Sequence, residues 1–428
     1  MMRCGIYETN ITPALGMEIP GYFELRRAEG VREELFSIAV YFESGSGKAM
    51  LISNDTIQVP TESCTRVRET VACKLDMPPE NVLVCATHSH TAGPVETWGD
   101  FVHLNEDYVA FLESRMIDGA ILAAGRAREV SVGFASVRED KLAYYRNYVE
   151  TDGSVHTWGG EGCAPFGEID PEVSVLRIDN ADGTPYGAIV NYACHCDCVG
   201  GKQYSSDYPG EMRRALRRLY GEGFMPVFFN GFCGNINHID PAGFHREVPE
   251  HYKRMGRMLA ADAARAFELA VRRFEDETVA GALTLMAIDS RVPEPYHLDL
   301  ADRIEKDPDA NERDRFYASE IRRAQSQGRI PLSCPVQVIR IGDAAFYGMP
   351  GEIYVEFGMN LKERSPIPHA FPVNLANGAF GYIPIRELFQ PGIYEASVGM
   401  SNRLDPEAGY LMADELIRLA DTPAVQTE

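Results

Sequence analysis

Two imidazoles one residue apart, His88 and His90, close the segment Asn81-Val-Leu-Val-Cys-Ala-Thr-His-Ser-His-Thr-Ala-Gly-Pro94, where an apolar run gives way to polar groups. A strand delivering side chains to the rim of a sheet has this form. On an extended backbone alternate side chains share a face, so His88 and His90 can point together, one binding a metal and the other facing a substrate. A third imidazole, His195, ends a second apolar run in Asn191-Tyr-Ala-Cys-His-Cys-Asp-Cys198. Zinc accepts imidazole and thiolate alike, but alternation turns Cys194, Cys196 and Cys198 away from His195, so they are expected to pack and not to ligate. Glu352, after the Pro350-Gly351 turn, is a carboxylate at a further strand end, where it can ligate or cap a helix.

The elements that must position these groups show the same ending four times. Val82-Leu-Val84 runs into the histidine pair, Ala188-Ile-Val190 into His195, Val227-Phe-Phe229 into Asn230-Gly-Phe-Cys-Gly-Asn235, and Ala344-Ala-Phe-Tyr347 into Gly348-Met-Pro-Gly-Glu352. Each reads as a buried strand feeding a polar loop. Helical periodicity falls between them, over Glu62 to Leu75, Glu106 to Arg126, Gly210 to Tyr220 and Glu250 to Phe274. Alternating strands and helices imply an α/β core, with ligands gathering beyond the carboxyl ends of the strands. The stretch 299–327 is rich in Arg, Glu and Asp and reads as a solvated helical excursion, after which Pro331 and Pro335 mark the return to a strand. Gly159-Gly-Glu-Gly162 lacks the strand-to-helix context of a phosphate loop and reads as a turn or mobile loop.

Composition narrows the functional classes. A net charge of −22, from 41 basic and 63 acidic side chains, opposes nucleic-acid binding, and Arg213, Arg214, Arg217 and Arg218 spread around a helix in acidic surroundings. Met1-Met-Arg-Cys-Gly-Ile6 does not open a secretion signal, and no segment has the length of a membrane span, so a cytoplasmic protein without stable membrane association is expected. Ten cysteines without a secretory context imply reduced thiols. A small-molecule substrate is the expected partner; homo-oligomerisation is compatible with the chain, its order unspecified.

Taken together, the motifs resemble the catalytic domain of neutral, non-lysosomal ceramidases, whose hallmark Thr-His-Thr-His-Ser-Gly-Pro is similar to Thr87-His-Ser-His-Thr-Ala-Gly-Pro94. The resemblance spans nearly the whole chain. It includes Ile11-Thr-Pro13, Asp170-Pro-Glu172, Asn191 to His195, Ser206-Asp-Tyr-Pro-Gly210, Pro350-Gly-Glu352, and Gly381-Tyr382 followed by Tyr394-Glu395. It implies one catalytic domain over 1–428, a mixed sheet with flanking helices and the site at strand ends. It further implies zinc held by His88, His195, Glu352 and Tyr382, with His90 and Tyr394 against the scissile carbonyl and Arg146 contacting substrate. Two imidazoles, a carboxylate and a phenol suit a catalytic zinc, which brings the pKa of water toward about 7 and polarises carbonyls. Asp207 and Asn235 are candidates for the surrounding shell, Asp207 as the acceptor that fixes a ligand imidazole or as a surface helix cap.

The sequence departs from the family at one telling position. The family's active-site serine lies in Gly-Asp-Val-Ser-Pro-Asn, and the matching stretch here, Gly234-Asn-Ile-Asn-His-Ile239, puts Asn237 in its place. An amide is not acylated but does hydrogen-bond, so direct attack by water is favoured over an acyl-enzyme. This departure, the end of the chain at Glu428 without room for the family's C-terminal β domain, and the lack of a secretion signal count against ceramide cleavage. His238 adds a further polar group near Asn235, and Trp98 and Trp158 offer flat surfaces to a sugar or aryl ring. The expectation is a zinc hydrolase of a small polar substrate, by preference an amide. Ester, lactone or glycoside cleavage of a sugar derivative, and a catalytically silent metal or ligand-binding protein, stand as alternatives.

Overall fold

The computed structural model describes residues 1–421 apart from 46, 159–161, 242, 244, 246 and 247, so the glycine patch at 159–162 falls largely outside the described residues. A mixed sheet runs through β1 (Arg3–Asn10), β2 (Phe36–Ser44), β3 (Gly47–Asn54), β4 (Val82–Ala86), β5 (Arg128–Arg138), β6 (Glu172–Asn180), β7 (Pro185–Tyr192) and β8 (Met225–Asn230). The spatial order is β8-β7-β6-β5-β1-β2-β3-β4. Its centre is a short ladder, Arg3 opposite Glu129 and Cys4 opposite Arg128, with Val130 N–H donating to Met2 O, so β1 to β4 and β5 to β8 form two wings. A second sheet contains β9 (Val279–Asp289), β10 (Pro331–Ile341), β11 (Ala344–Gly348) and, beyond β12 (Glu352–Ile353), β13 (His369–Val373). β12 pairs separately with β14 (Tyr382–Ile383).

Both wings and the second sheet share one apolar core. Ile38, Val40 and Leu51 of the first wing, Leu176, Ile189 and Phe229 of the second, and Ile339, Phe346 and Phe371 of the second sheet meet in it. Outer faces are covered by helices: α1 (Thr61–Leu75) and α2 (Glu106–Gly125) on the first wing, α3 (Asp207–Tyr220) and α4 (His251–Leu269) on the second. Strands buried on both faces carry apolar residues continuously, as Ile38-Ala-Val-Tyr-Phe42 does in β2. Beyond α5 (Pro295–Lys306) and α6 (Glu312–Gln327), the helices α7 (Val355–Arg364) and α8 (Ala408–Asp421) cover the second sheet.

The three sheet surfaces each contain a parallel pair, β3 with β4, β7 with β8, and β11 with β13. Their carboxyl ends open at one side of the shared core, where Asn230 Nδ2 donates to Thr87 O and ties the wings together. The four apolar runs form β4, β7, β8 and β11 as expected. The fourth helical pattern stops at Leu269, short of Phe274, because the following backbone joins β5 through Phe274 N–H to Val132 O at 2.8 Å. The charged excursion is a pair of helices that begins at Pro295, with Glu294 and His297 forming a capping box, and breaks before Asn311, whose side chain caps α6. It is not wholly solvated: Ala301, Ala318, Ile321 and Ala324 pack with Val398. Pro335 sits inside β10 beyond the reach of β11, paired only with Leu285 of β9, so its missing N–H breaks no ladder on the other side. Among the described residues no helix is long and apolar enough to cross a membrane.

Candidate active site

His88, His90 and His195 meet where the strand ends open, with their ligand nitrogens within 4.8 Å of one another and all three rings buried. Each ring is oriented in the same way. His88 Nδ1 lies 2.9 Å from Ile57 O, His90 Nδ1 3.0 Å from Gly21 O, and His195 Nδ1 2.8 Å from Cys233 O. A carbonyl accepts only, so each Nδ1 carries the proton and each Nε2 presents a lone pair. The lone pairs converge: His88 Nε2 is 3.2 Å from His90 Nε2, and Glu352 Oε2 stands 3.2 Å from His88 Nε2 and 3.1 Å from His195 Nε2. Backbone carbonyls that fix the far nitrogen of an imidazole are the usual second layer of a metal centre.

The local backbone accounts for this convergence. His88 has φ 74°, so the strand leaves β4 through a left-handed residue and not the extended run expected from the sequence. The turn is held by Thr56 O, which accepts from the N–H of both His88 and Ser89, and His90 N–H then donates to Cys196 O. Such a backbone in a β-branched-free but bulky residue is strained and is kept by its surroundings. Gly21, at φ 106°, sits so close that a Cβ there would lie 2.8 Å from the His90 ring. Glu352 and Tyr382 are register partners across β12 and β14, and the Tyr382 ring stacks parallel to His195 with centroids 6.4 Å apart.

Arg146 is buried behind the phenol. Its Nε donates to Glu395 Oε1 at 2.6 Å and its second amino group to Gly234 O at 2.6 Å, while the guanidinium lies 5.1 Å from the Tyr382 ring centroid. Glu395, fully buried, also accepts from Asn147 and Thr157. Tyr394 closes the other side, its ring 5.4 Å from that of Tyr382.

Burial and neighbouring charge set the protonation. Burial depresses His90 and the neighbouring imidazoles add to it, giving a pKa of about 3 and a neutral ring. Burial opposes charge on His88 as well, but the Glu352 carboxylate outweighs it and raises the imidazole. Glu352 is held well below the ordinary carboxylate range, because His88 and His195 overcome the cost of its burial. Burial raises the phenols of Tyr382 and Tyr394 well above their ordinary value.

The remaining candidates lie around this centre without joining it. The Asp207 carboxylate accepts from Val199 and Tyr208 N–H at 2.8 and 2.7 Å, so it braces the start of α3 and is neither a surface cap nor the acceptor that fixes an imidazole. Backbone carbonyls take that role. Asn235 links Glu356 and Val355 N–H at the start of α7, and its own carbonyl accepts from Arg146 N–H. Asn237 donates to both oxygens of Asp197, at 3.1 and 2.9 Å, and so faces a carboxylate and not the imidazoles. His238 Nε2 approaches the same Asp197 at 3.4 Å. Cys194 and Cys196 are buried in the core beneath α3, with Cys198 packed against it. Trp98 lines the cavity, whereas Trp158 is 49% exposed and lies beside Arg146.

Three residues outside the sequence candidates matter here. Asp197 faces His90 and His195 by charge, and the alternation that set the cysteines aside puts it on the His195 face. Glu395 is adjacent to Tyr394 but gave no sign of its arginine partner. Glu96 lines a small cavity of about 60 Å³ that also touches His88, His90, Glu352, Tyr382 and Tyr394.

The fold and site together define a mixed α/β protein with a convergent imidazole and carboxylate centre. No protein-family model and no curated protein matches the chain. Among solved structures its fold is similar to neutral ceramidase from Pseudomonas aeruginosa, with TM-score 0.76 and 17% identity over 98% of this chain and 74% of that one. A ceramidase complexed with C2 is similar at TM-score 0.76 and 17% identity, over 100% of this chain and 77% of that one. The chain therefore has a neutral-ceramidase-like fold; identity at this level speaks for the fold alone.

Proposed function

We propose that this protein is a zinc-dependent hydrolase that cleaves a carbonyl bond, by preference an amide, in a small polar substrate. The observation that carries the reading is the convergence of the Nε2 atoms of buried, carbonyl-anchored His88 and His195 on the Glu352 carboxylate, with His90 Nε2 beside His88. His88, His195, Glu352 and Tyr382 would hold the ion. The donor set fits: imidazoles anchored through Nδ1 and a carboxylate already ionised in the folded protein suit zinc, and Arg146 beside Tyr382 partly offsets the burial that raises its phenol. Zinc supplies a Lewis acid for the carbonyl and brings the pKa of water toward about 7.

The chain's own groups then divide the work. His90, neutral and with Nε2 as acceptor, lies on the cavity wall and accepts a hydrogen bond that positions the attacking water. Tyr394 keeps its proton at neutral pH and donates to the developing oxyanion, a contribution of roughly 2.7 to 4 kcal/mol for a well-placed donor. Arg146 positions Tyr382 and is itself held by Glu395. Asn237 is committed to Asp197, which supports attack by water without an acyl-enzyme. The amide preference is taken from the name of the similar structures. Free thiols at all ten cysteines support a reducing, cytoplasmic setting.

The test is elemental analysis of the purified protein beside His88→Ala, followed by a screen of N-acyl amines against esters and lactones. About one zinc per chain, lost in the variant together with amide turnover, is expected. A His88→Ala protein that retains stoichiometric zinc and full turnover would overturn the assignment.

A further inference from the structure

Facing the imidazoles, the same cavity is lined by residues that carry polar atoms the protein leaves unpaired. Trp98 Nε1 and Arg403 Nε are buried and take no hydrogen bond, the Ser401 hydroxyl pairs with the Tyr317 phenol, and Trp98, Ser401 and Arg403 all line the cavity. Ser401 is only 8% exposed. Buried polar groups are ordinarily paired, so two orphans on residues around one void point to a ligand that supplies the partners. The Trp98 N–H is held firmly in place, because its ring packs against Phe23 with centroids 4.7 Å apart and against Phe316 of α6 at 6.1 Å.

Glu96 belongs to this wall. One of its oxygens accepts from Gln58 Nε2 at 2.5 Å, and Arg403 acts on the carboxyl through charge. The wall thus offers N–H donors from Trp98 and Arg403, a hydroxyl from Ser401 and an acceptor at Glu96. A cationic group meets the Arg403 guanidinium. An anionic group meets Glu96 and Glu352, both of which line the cavity. An alkyl group would leave the orphaned atoms unsatisfied, which a specific polar site rejects strongly. A hydroxyl both accepts and donates, and two adjacent hydroxyls span a donor and a carboxylate together.

We propose that Glu96, Trp98, Ser401 and Arg403 form a subsite for a neutral hydroxylated part of the substrate, a vicinal diol or longer polyol next to the scissile carbonyl. The proposal rests on the hydrolase reading of this site and narrows its substrate class. It assigns Glu96 and Trp98 as specificity residues that contact the substrate away from the bond that breaks.

The test compares two uncharged amides that differ only in the hydroxyls, N-acetyl-3-amino-1,2-propanediol and N-acetylpropylamine, with zinc-loaded protein. Preference is read as kcat/KM where the amide is cleaved and as Kd by calorimetry where it is not. The diol is expected to be favoured by about tenfold or more. Glu96→Gln and Trp98→Phe should each lower that preference, the ratio of diol to propyl amide, several-fold. Equal values for the two amides in the wild-type protein would overturn the subsite, as would an undiminished preference in Trp98→Phe. If Glu96→Gln does not fold, Trp98→Phe decides, because it keeps an aromatic ring against Phe23 and Phe316 while it removes the N–H with the rest of the pyrrole ring. A preserved diol preference without cleavage of either amide would defeat the hydrolase reading and keep the subsite; cleavage of both without preference would do the reverse.

Discussion

Glu352 and Tyr382 stand opposite one another in the parallel ladder of β12 and β14, and the carboxylate of the first lies within 3.2 Å of the facing nitrogens of both His88 and His195. A two-residue ladder therefore delivers a carboxylate and a phenol to the same centre from separate stretches of chain. Gly381 O accepts from Glu352 N–H at 2.9 Å, and Ser401 O from Tyr382 N–H at 2.7 Å, so both backbones are fixed.

Under the proposed function this arrangement would separate metal binding from chemistry. Two triads share His88 and His195, one completed by Glu352 and the other by His90. If Glu352 completes the metal set, His90→Ala keeps about one zinc per chain and loses activity by roughly 10²-fold, the scale for losing a group that positions a reactant. Metal content and kcat measured on the same preparation decide it. Loss of zinc from His90→Ala would make His90 a ligand instead.

The Arg146–Glu395 pair is buried, at 4% and 0% side-chain exposure. Removing one partner leaves an uncompensated charge, so Glu395→Ala is expected to destabilise the fold by about 3 to 5 kcal/mol. Urea unfolding reads this directly. A change under about 1 kcal/mol would mean that water reaches Arg146 and that the pair does not hold Tyr382.

Gly21 has φ 106°, a region that side chains rarely adopt, and an added Cβ would lie 2.8 Å from His90. Gly21→Ala should therefore displace the His90 ring. A fall in kcat of about tenfold to 10² with unchanged zinc is expected, since a displacement near 1 Å has that effect. Unchanged kcat would show that His90 position is not limiting.

Stability should also carry a pH signature from Glu96, which burial pushes up to about 7. A carboxyl whose folded pKa is raised binds its proton more tightly in the folded protein. Its contribution is full below the unfolded pKa of about 4.3 and is lost as pH rises toward 7. Urea midpoints of metal-free wild type should fall across that window relative to Glu96→Gln, and parallel pH profiles of the two proteins would contradict it.

Much of the scaffold was legible in the sequence. Strands β4, β7, β8 and β11 announce themselves as apolar runs, because strands covered on both faces must be apolar throughout. The same runs indicated where polar groups would emerge. The early ending of α4 was not visible, since it depends on Phe274 pairing with β5, a distant partner. The left-handed turn at His88 was equally hidden, because it is enforced by Thr56 and not by the residue itself.

The sequence by itself determined the chemical inventory of the site: which residues bear imidazole, carboxylate and phenol, and that they lie at the ends of buried strands. Alternation along a strand also decided that Cys194 and Cys196 would pack. Tertiary structure decided which atoms converge. The carbonyls of Ile57, Gly21 and Cys233 fix the tautomers, a task the sequence suggested for Asp207. The partnership of Arg146 with Glu395 and the diversion of Asn237 to Asp197 belong to the same class. Hydrogen bonds depend on distances of a few tenths of an ångström between segments far apart in the chain, and local periodicity carries no record of those distances.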